Sequence, residues 1–539
     1  MSRKRVEQLA KDQKFEEAAK AAAALREDAK RMNDEPLWTW TLIKEVQLRM
    51  ALHGYETSVR FLKEEAWPPS PIQRDMLDLF YAQSLLTYYE AYSWEINSRE
   101  RVEASGPVDL KAWTKDQIFA EAWAALMRVW KDRERLQDRR PKEFPDFWTP
   151  GNYPAGIRDT LRDAVVYLMA RVLADTTFWT PRQTNELFLV SLDQLLSGEP
   201  LDAKSAVSAL DSAAAHPLEK LRALLAEHET WCGHARRPEA AMEARFELLA
   251  ALHTAFTQAD DRSLIRESLA KYLAAHRKQA WWAVGQAMLA EFTQDEETPD
   301  ALVRARKLAL EAVELYPNSP GGLRALHLVK TIEAPDFETE MMATDRTSRR
   351  SIRLNHKNIA TVFFRAYPVD LTDRIAISKD YNILPQWNEA DKIIQGRSQT
   401  AAWKAKLPPT PDYREHYTYV DVPASLRPGL YIVAASARED FARSTNRIRA
   451  LDFVVSGIVM LKRTTTGGGM EAVIVSGDSG RPAAGVNVDL YSYNWQKGHQ
   501  LVESQVTDVQ GLAAFAARAN ESGPYFLMAT KGADIVFDP

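Results

Sequence analysis

Through residues 1–340 the apolar positions recur at intervals of three and four, the period of a helix with one buried face. Phe15, Ala18, Ala19, Ala22 and Leu25 form one such row, and Leu79, Ala82, Leu85, Leu86 and Tyr89 another. The rows are interrupted at Trp67-Pro68-Pro69-Ser70-Pro71, Gly106-Pro107, Pro141 through Pro154, Gly198-Glu199-Pro200 and Thr298-Pro299. Proline lacks the amide donor and clashes with the preceding turn, so these sites predict helix boundaries. After Arg349 the period changes to two. Thr361 to Tyr367 and Leu430 to Ala435 are β-branched and aromatic runs, which predict strands.

Within the helical region, Trp281 to Ile332 resembles a tetratricopeptide unit. Trp281, Val284, Gly285 and Met288 suit its first helix. Ala305, Ala309, Ala312 and Pro317 suit its second, because two helices that cross closely need small residues. Phe15 to Leu62 is a more degenerate candidate. Such units stack on their neighbours, so the expectation is a solenoid-like helical region over 1–340. Its concave face would hold a peptide, with Trp281, Trp282 and the Leu315-Tyr316-Pro317 end as the motivating residues. The plainer expectation is a spacer. The segment with Tyr88, Tyr89, Tyr92, Trp94, Ile96, Arg99 and Arg101 reads as the buried face of a helix, its arginines stacking on the rings or pairing with Glu90 and Glu95.

The β part is expected as two antiparallel sandwiches, 350–456 and 457–539. In the first, strands are predicted at Asn358 to Tyr367, Tyr417 to Val422, Gly429 to Ser436 and Arg449 to Val455. Leu426-Arg427-Pro428-Gly429-Leu430-Tyr431 is a turn feeding a strand. Val369 to Thr410 is a long insertion, and a loop of that length is functional or mobile. In the second, Gly480-Arg481-Pro482-Ala483-Ala484-Gly485 is a tight turn before the alternating Val486, Val488 and Leu490. Thr507-Asp508-Val509-Gln510-Gly511 reads as a hairpin turn.

Composition narrows the function classes. The 539 residues imply roughly three to four domains. A net charge of −5 argues against a nucleic-acid partner, which requires a concentrated basic face. No apolar run is long enough for a transmembrane helix, and Val6 to Lys11 is not the apolar core of a signal peptide. The single cysteine, Cys232, excludes an intrachain disulfide framework.

Three phrases look chemical and are read as structural. Gly477-Asp478-Ser479-Gly480 matches the nucleophile phrase of chymotrypsin-like proteases, and His216 echoes their histidine phrase. A triad needs a histidine oriented by a buried aspartate and an oxyanion hole beside the serine. Ser479 instead sits in a strand turn and His216 among helices. His228, Cys232 and His234 have spacings for one helix turn but supply too few ligands for zinc. Gly467-Gly468-Gly469 precedes a strand, so it is a hairpin turn and not a phosphate loop. No catalytic residue, cofactor or metal is assigned.

The order of the turn phrases, Leu426 to Tyr431, then Ser479 to Tyr491, then Thr507 to Gly511, resembles that of macroglobulin-type domains. With the helical lead containing Tyr92, Trp94, Arg99, Arg101 and Lys111-Ala112-Trp113, the chain resembles the N-terminal part of a bacterial alpha-2-macroglobulin family protein. That resemblance implies a non-enzymatic role in protease trapping, with proteases as partners of a longer parent and a periplasmic or cell-surface location. It also implies that membrane contact would come through an anchor outside this chain. The family's Cys-Gly-Glu-Gln thioester run is not matched by Cys232-Gly233-His234-Ala235, and no bait segment is recognisable. The ending at Phe537-Asp538-Pro539 reads as a cut within a longer protein. The alternative is a peptide-binding adaptor, its helices holding a partner and its sandwiches acting as a docking scaffold.

Overall fold

The computed structural model describes residues 2–52, 54–99, 110–148, 151–342, 350–465, 468–516 and 524–538. Arg101, Gly106, Pro107, Arg349, Gly467 and Pro539, singled out above, lie outside the described residues. Among the described residues sixteen α-helices run from Arg3 to Glu333, followed by antiparallel β-sheets. The chain divides into two compact units, 1–296 with 307–326, and 297–306 with 327–539.

In the helical unit the predicted rows are buried. Ala18, Ala22, Leu25, Leu79, Ala82, Leu85, Leu86 and Tyr89 all lie in the interior. Of the predicted breaks, Pro71 opens Pro71–Asn97; two prolines not singled out above, Pro181 and Pro238, open Pro181–Asn185 and Pro238–Ala255. There the missing amide costs nothing, since a first-turn N–H has no intrahelical acceptor. Pro71–Asn97 bends at Tyr92, whose φ of −122° and ψ of 20° are not helical. The bend changes the expected face. Tyr88, Tyr89 and Ile96 are buried, whereas Trp94 is 89% exposed.

From Ala203 onward helices pack on sequence neighbours: Ala203–Asp211 on Pro217–His234, that on Pro238–Ala255, then Ala259–Ala275 and Trp282–Gln294. This neighbour-on-neighbour pattern is that of helical repeats. Small residues set its closest approaches. A Cβ on Gly285 would stand 2.3 Å from the Phe246 ring, and one on Gly321 would stand 2.2 Å from the Ala283 backbone.

Among the described residues the β unit has fourteen strands: β1 (Asp336–Met341), β2 (Ser351–Lys357), β3 (Thr361–Val369), β4 (Ala401–Lys406), β5 (His416–Asp421), β6 (Gly429–Ser436), β7 (Ile448–Val455), β8 (Ile458–Thr464), β9 (Met470–Ser476), β10 (Asn487–Asn494), β11 (Gly498–Val506), β12 (Leu512–Phe515), β13 (Tyr525–Lys531) and β14 (Asp534–Asp538). They form sheets β1-β2-β5, β4-β3-β6-β7, β12-β9-β8 and β11-β10-β13-β14. β1 begins inside the stretch read as helical. Its alternation, Asp-Phe-Glu-Thr-Glu-Met, has one buried apolar residue, Phe337, and little hydrophobic signal. β2 and β4 were also not foreseen.

The first two sheets enclose Phe337, Ile352, Leu354, Val362, Phe364, Tyr431, Val433, Ala435, Phe453 and Val455. At the turn feeding β6, the Tyr431 hydroxyl donates to the Arg427 carbonyl at 2.9 Å, fixing the corner as tyrosine does in other sandwiches. The last two sheets enclose Ile474, Val486, Val488, Leu490, Phe515, Leu527 and Ala529.

One expectation is corrected. Thr507 to Gly511 is not a hairpin turn, because β11 and β12 belong to different sheets. The Gly480 to Gly485 turn likewise carries the chain from β9 in one sheet to β10 in the other. Thr507 ties these two crossings together. Its hydroxyl donates to the Ala483 carbonyl at 2.7 Å and accepts from the Val486 amide at 3.0 Å. Its backbone exchanges bonds with Val486 and Gly485. Asp508 then accepts from the Gln510 and Leu512 amides, shaping the turn. Thr507→Val keeps the shape but orphans a buried amide and a buried carbonyl. It is expected to lower stability by about 2–3 kcal/mol in denaturant unfolding, whereas Thr507→Ser retains most of it.

Candidate functional site

Ser479 and His216 lie in different units and each is engaged locally. Ser479 sits in the turn after β9, its amide 3.4 Å from the Ser476 hydroxyl and its own hydroxyl accepting from the Arg481 amide at 3.4 Å. His216 caps helix Pro217–His234, where Nδ1 accepts from the Leu218 amide and Nε2 lies 3.0 Å from the Gln183 carbonyl. Its ring stands edge-on to Trp179, and burial lowers its pKa. Both ring nitrogens are committed to positioning the helix.

Of the His228, Cys232 and His234 set, the structure brings two together and adds a residue the sequence reading missed. Asp163, His228 and Cys232 place their ligand atoms within 4.8 Å of one another, the one such group of potential metal ligands among the described residues. His234 is at the exposed end of its helix. Asp163 sits at the third position of helix Leu161–Ala174 and closes a capping box with Thr160. The capping-box phrase was legible in the sequence; its partner seventy residues away was not.

The Asp163 carboxylate is already saturated. It accepts from the Asp159 and Thr160 amides at 2.8 and 2.9 Å and from Arg237 at 2.6 Å, and lies 3.2 Å from His228 Nε2. Burial alone would raise its pKa, but hydrogen bonds and charge from His228 and Arg237 outweigh this and hold it far below the usual range. Burial, reinforced by Asp163, pushes the Cys232 thiol up to about 12, so it stays protonated. A second buried group adjoins it: Glu227 accepts from Arg133 at 2.9 Å and Arg162 at 2.7 Å. Those guanidinium groups lie over Trp130 and Trp231. With arginines on several sides and the carboxylate full, the chemistry suits an ion-paired core and not a cation site.

The remaining sequence candidates are also structural. Arg99 donates to the Leu110 and Trp113 carbonyls at 2.7 and 3.0 Å and pairs with Glu95. It tethers the end of its helix beside a cleft of about 950 Å³ lined by Tyr89, Glu90, Asn97, Thr114 and Lys115. Trp281 and Trp282 are buried, their indoles donating to Glu243 and to the Leu273 carbonyl. The Tyr316 hydroxyl donates to the Arg277 carbonyl at 2.8 Å. Of the expected peptide anchors, Trp281 and Trp282 are therefore core residues, whereas Leu315 and Pro317 are exposed.

The surface with most built-in specificity is the insertion after β3, expected only as a long loop. It folds into helices Leu371–Ile377 and Trp387–Gly396, capped by Asp370 and by Gln386 with Glu389. Arg374 cross-braces them, donating to the Ile383 carbonyl at 3.0 Å and to Glu389 at 2.9 Å. Leu371, Ile375, Ile383 and Ala390 pack against Leu430 and Ile432 of β6 and against Phe526 and Met528 of β13. The insertion thus joins the two sandwiches. At its rim the Tyr493 hydroxyl donates to the Lys379 carbonyl and His499 Nε2 lies 2.8 Å from the Asp380 carbonyl. Gly498, at φ +74°, comes so close that a Cβ would be 2.6 Å from the Ser378 carbonyl oxygen. Ile377, Tyr381 and Trp495 remain exposed around this seam.

No family model matches the chain, and no curated protein matches it. Among solved structures it is similar to native alpha-2-macroglobulin from Escherichia coli spanning domains MG0-NIE-MG1, at 16% identity and a TM-score of 0.29, over 38% of this chain and 63% of that one. It is also similar to the NIE-MG1 piece of the same protein, at 15% identity and a TM-score of 0.27, over 38% of this chain and 96% of that one. No helix among the described residues is long and apolar enough to cross a membrane.

Two outcomes are expected at these sites. Asp163→Asn leaves Arg237 without its buried counter-charge and should cost about 3–5 kcal/mol in denaturant unfolding. Because the native pKa of Asp163 is depressed, the wild-type stabilisation is present above the ordinary carboxylate range and is lost as pH falls below about 4. A midpoint measured from pH 7 down to 3 should fall more steeply for wild type than for the variant. Separately, Gly498→Ala combines left-handed strain with a clash and is expected to lower the unfolding free energy of the β unit by about 2 kcal/mol.

Proposed function

We propose that this chain is the non-catalytic N-terminal frame of a bacterial alpha-2-macroglobulin-like protease-trapping protein. In this reading residues 1–340 are a helical extension, and 350–456 and 457–539 are successive macroglobulin-type domains. The observation that carries it is the locked seam between the two β-sandwiches. The insertion, β6 and β13 share one apolar cluster, and hydrogen bonds and a close glycine contact rim it. A frame that transmits the movement of a trap needs adjoining domains that move together. The turn phrases add support, since they fall at the Tyr431 corner and the Thr507 latch, where sandwich construction depends on them. Proteases would be engaged by the longer parent, in the periplasm or at the cell surface.

The adaptor reading has less support, because Trp281 and Trp282 are interior. A hydrolase using Ser479 has none from geometry, given its local turn bonds.

The test mixes an endopeptidase with either this chain or the protein from the full reading frame. Cleavage of a large protein substrate and of a short chromogenic peptide are then followed. A trap encloses the protease without blocking its active site. The full-length protein is expected to suppress cleavage of the large substrate and spare that of the peptide, while this chain alone changes neither. Unchanged cleavage of the large substrate by protease with full-length protein, or hydrolysis by this chain itself, would overturn the proposal.

A further inference from the structure

The outward row of β6 and β7 at the seam is apolar at Leu430, Ile432, Ala450 and Val454, with one exception. Asp452 pairs in register with Ile432, so both side chains point to the same face. Asp452 therefore stands where the insertion and the second sandwich close on β6 and β7. Its Oδ1 is buried without a hydrogen-bond partner. Arg374 is the compensating charge felt by Asp452, but its Nε and Nη2 donate to the Ile383 carbonyl and to Glu389.

We propose that this seam is a proton-operated clasp: with Asp452 protonated, the insertion and β13 close firmly on β6 and β7, and with Asp452 ionised the closure loosens. A carboxylate with one oxygen buried and unpartnered in an apolar row disfavours its own charge, because at that oxygen burial removes water that no donor replaces. Burial accordingly raises its pKa to about 6, with Arg374 opposing. The sign follows from linkage. The folded form holds a proton that the unfolded form releases near pH 4, so the contribution is full below about 4 and is lost as pH rises through about 6.

Other groups face the same region. Helix Leu371–Ile377 supplies Arg374, helix Trp387–Gly396 supplies Glu389, and β11 supplies His499, which stands 5.4 Å from Phe526. Asp534, at the start of β14, lies on the opposite face with Val536 and accepts from the Gly457 amide. β6 and β13 contribute Leu430, Ile432, Phe526 and Met528, which carry no charge. His499 is the imidazole at the rim of this seam, its Nε2 2.8 Å from the Asp380 carbonyl, so a variant lacking it separates its contribution from that of Asp452.

The experiment is hydrogen exchange on the full chain at pH 5.0 and 7.5, corrected for intrinsic rates, in wild type, Asp452→Asn and His499→Gln. In wild type, amides of 371–396 and 525–531 are expected to exchange roughly tenfold more slowly at pH 5.0 than at 7.5. The Asn variant is neutral at both values and should lose that difference while keeping strong protection. The His499→Gln variant should retain it. Equal wild-type protection at the two pH values, a difference that survives Asp452→Asn, or one abolished by His499→Gln would each overturn the proposal. Thermal unfolding of all three proteins verifies that they are folded.

Discussion

A sheet that is apolar on both faces needs two covers, and β6 imposes that requirement on the β unit. Its residues Leu430 to Ser436 are all buried. Tyr431, Val433 and Ala435 fill the first sandwich, whereas Leu430 and Ile432 point the other way. β13 has the same property, with Leu527 and Ala529 inside the second sandwich and Phe526 and Met528 outside it. Each outward side chain left in water would forgo about 2 kcal/mol. The outer faces of β6 and β13 therefore meet across a shared cluster, and the insertion supplies the side chains that complete it. The caps, the Arg374 brace and the close approach at Gly498 all serve to hold that third layer in place.

The helical unit solves a different problem. Among the carboxylates buried in its interior are Asp163 and Glu227, each held by arginines from other elements. Burying such pairs gains little over apolar packing, but breaking one partner is costly. Their effect is to fix which helices meet. Arg237 must reach Asp163 and the Gly156 carbonyl together, which sets Pro238–Ala255 against the loop before Leu161. Cys232 and His228, suggestive in the sequence, are parts of this register.

The change from period three-and-four to period two was legible because each element's buried face follows from its own residues. Leu79 to Tyr89 and Thr361 to Tyr367 are cases of this. The corner at Leu426 to Tyr431 was legible for the same reason. The sheet partnership of β12 was not, because nothing in Thr507 to Gly511 tells a hairpin from a crossing between sheets. β1 carries little signal because its alternation runs through charged residues, with Phe337 its one buried side chain and Met341 only partly buried against the core. The insertion gave no signal of its role: Leu371, Ile375 and Ile383 find their partners in β6 and β13, far along the chain. Asp163 belonged to a visible capping phrase, yet its ion-pair partner lies in another helix.

The shared cluster has a consequence for synthesis. Leu430 and Ile432 leave the ribosome roughly a hundred residues before Phe526 and Met528, the side chains that complete their cover. In that interval the first sandwich can close its own core, but its outer sheet has only the insertion lying over it. The nascent chain thus passes through a stage with a sticky, half-roofed face, and the second sandwich acts as the lid that ends it. Fragments cut between β7 and β13 preserve that stage permanently, so solubility, and not loss of any single contact, decides where this protein tolerates being divided.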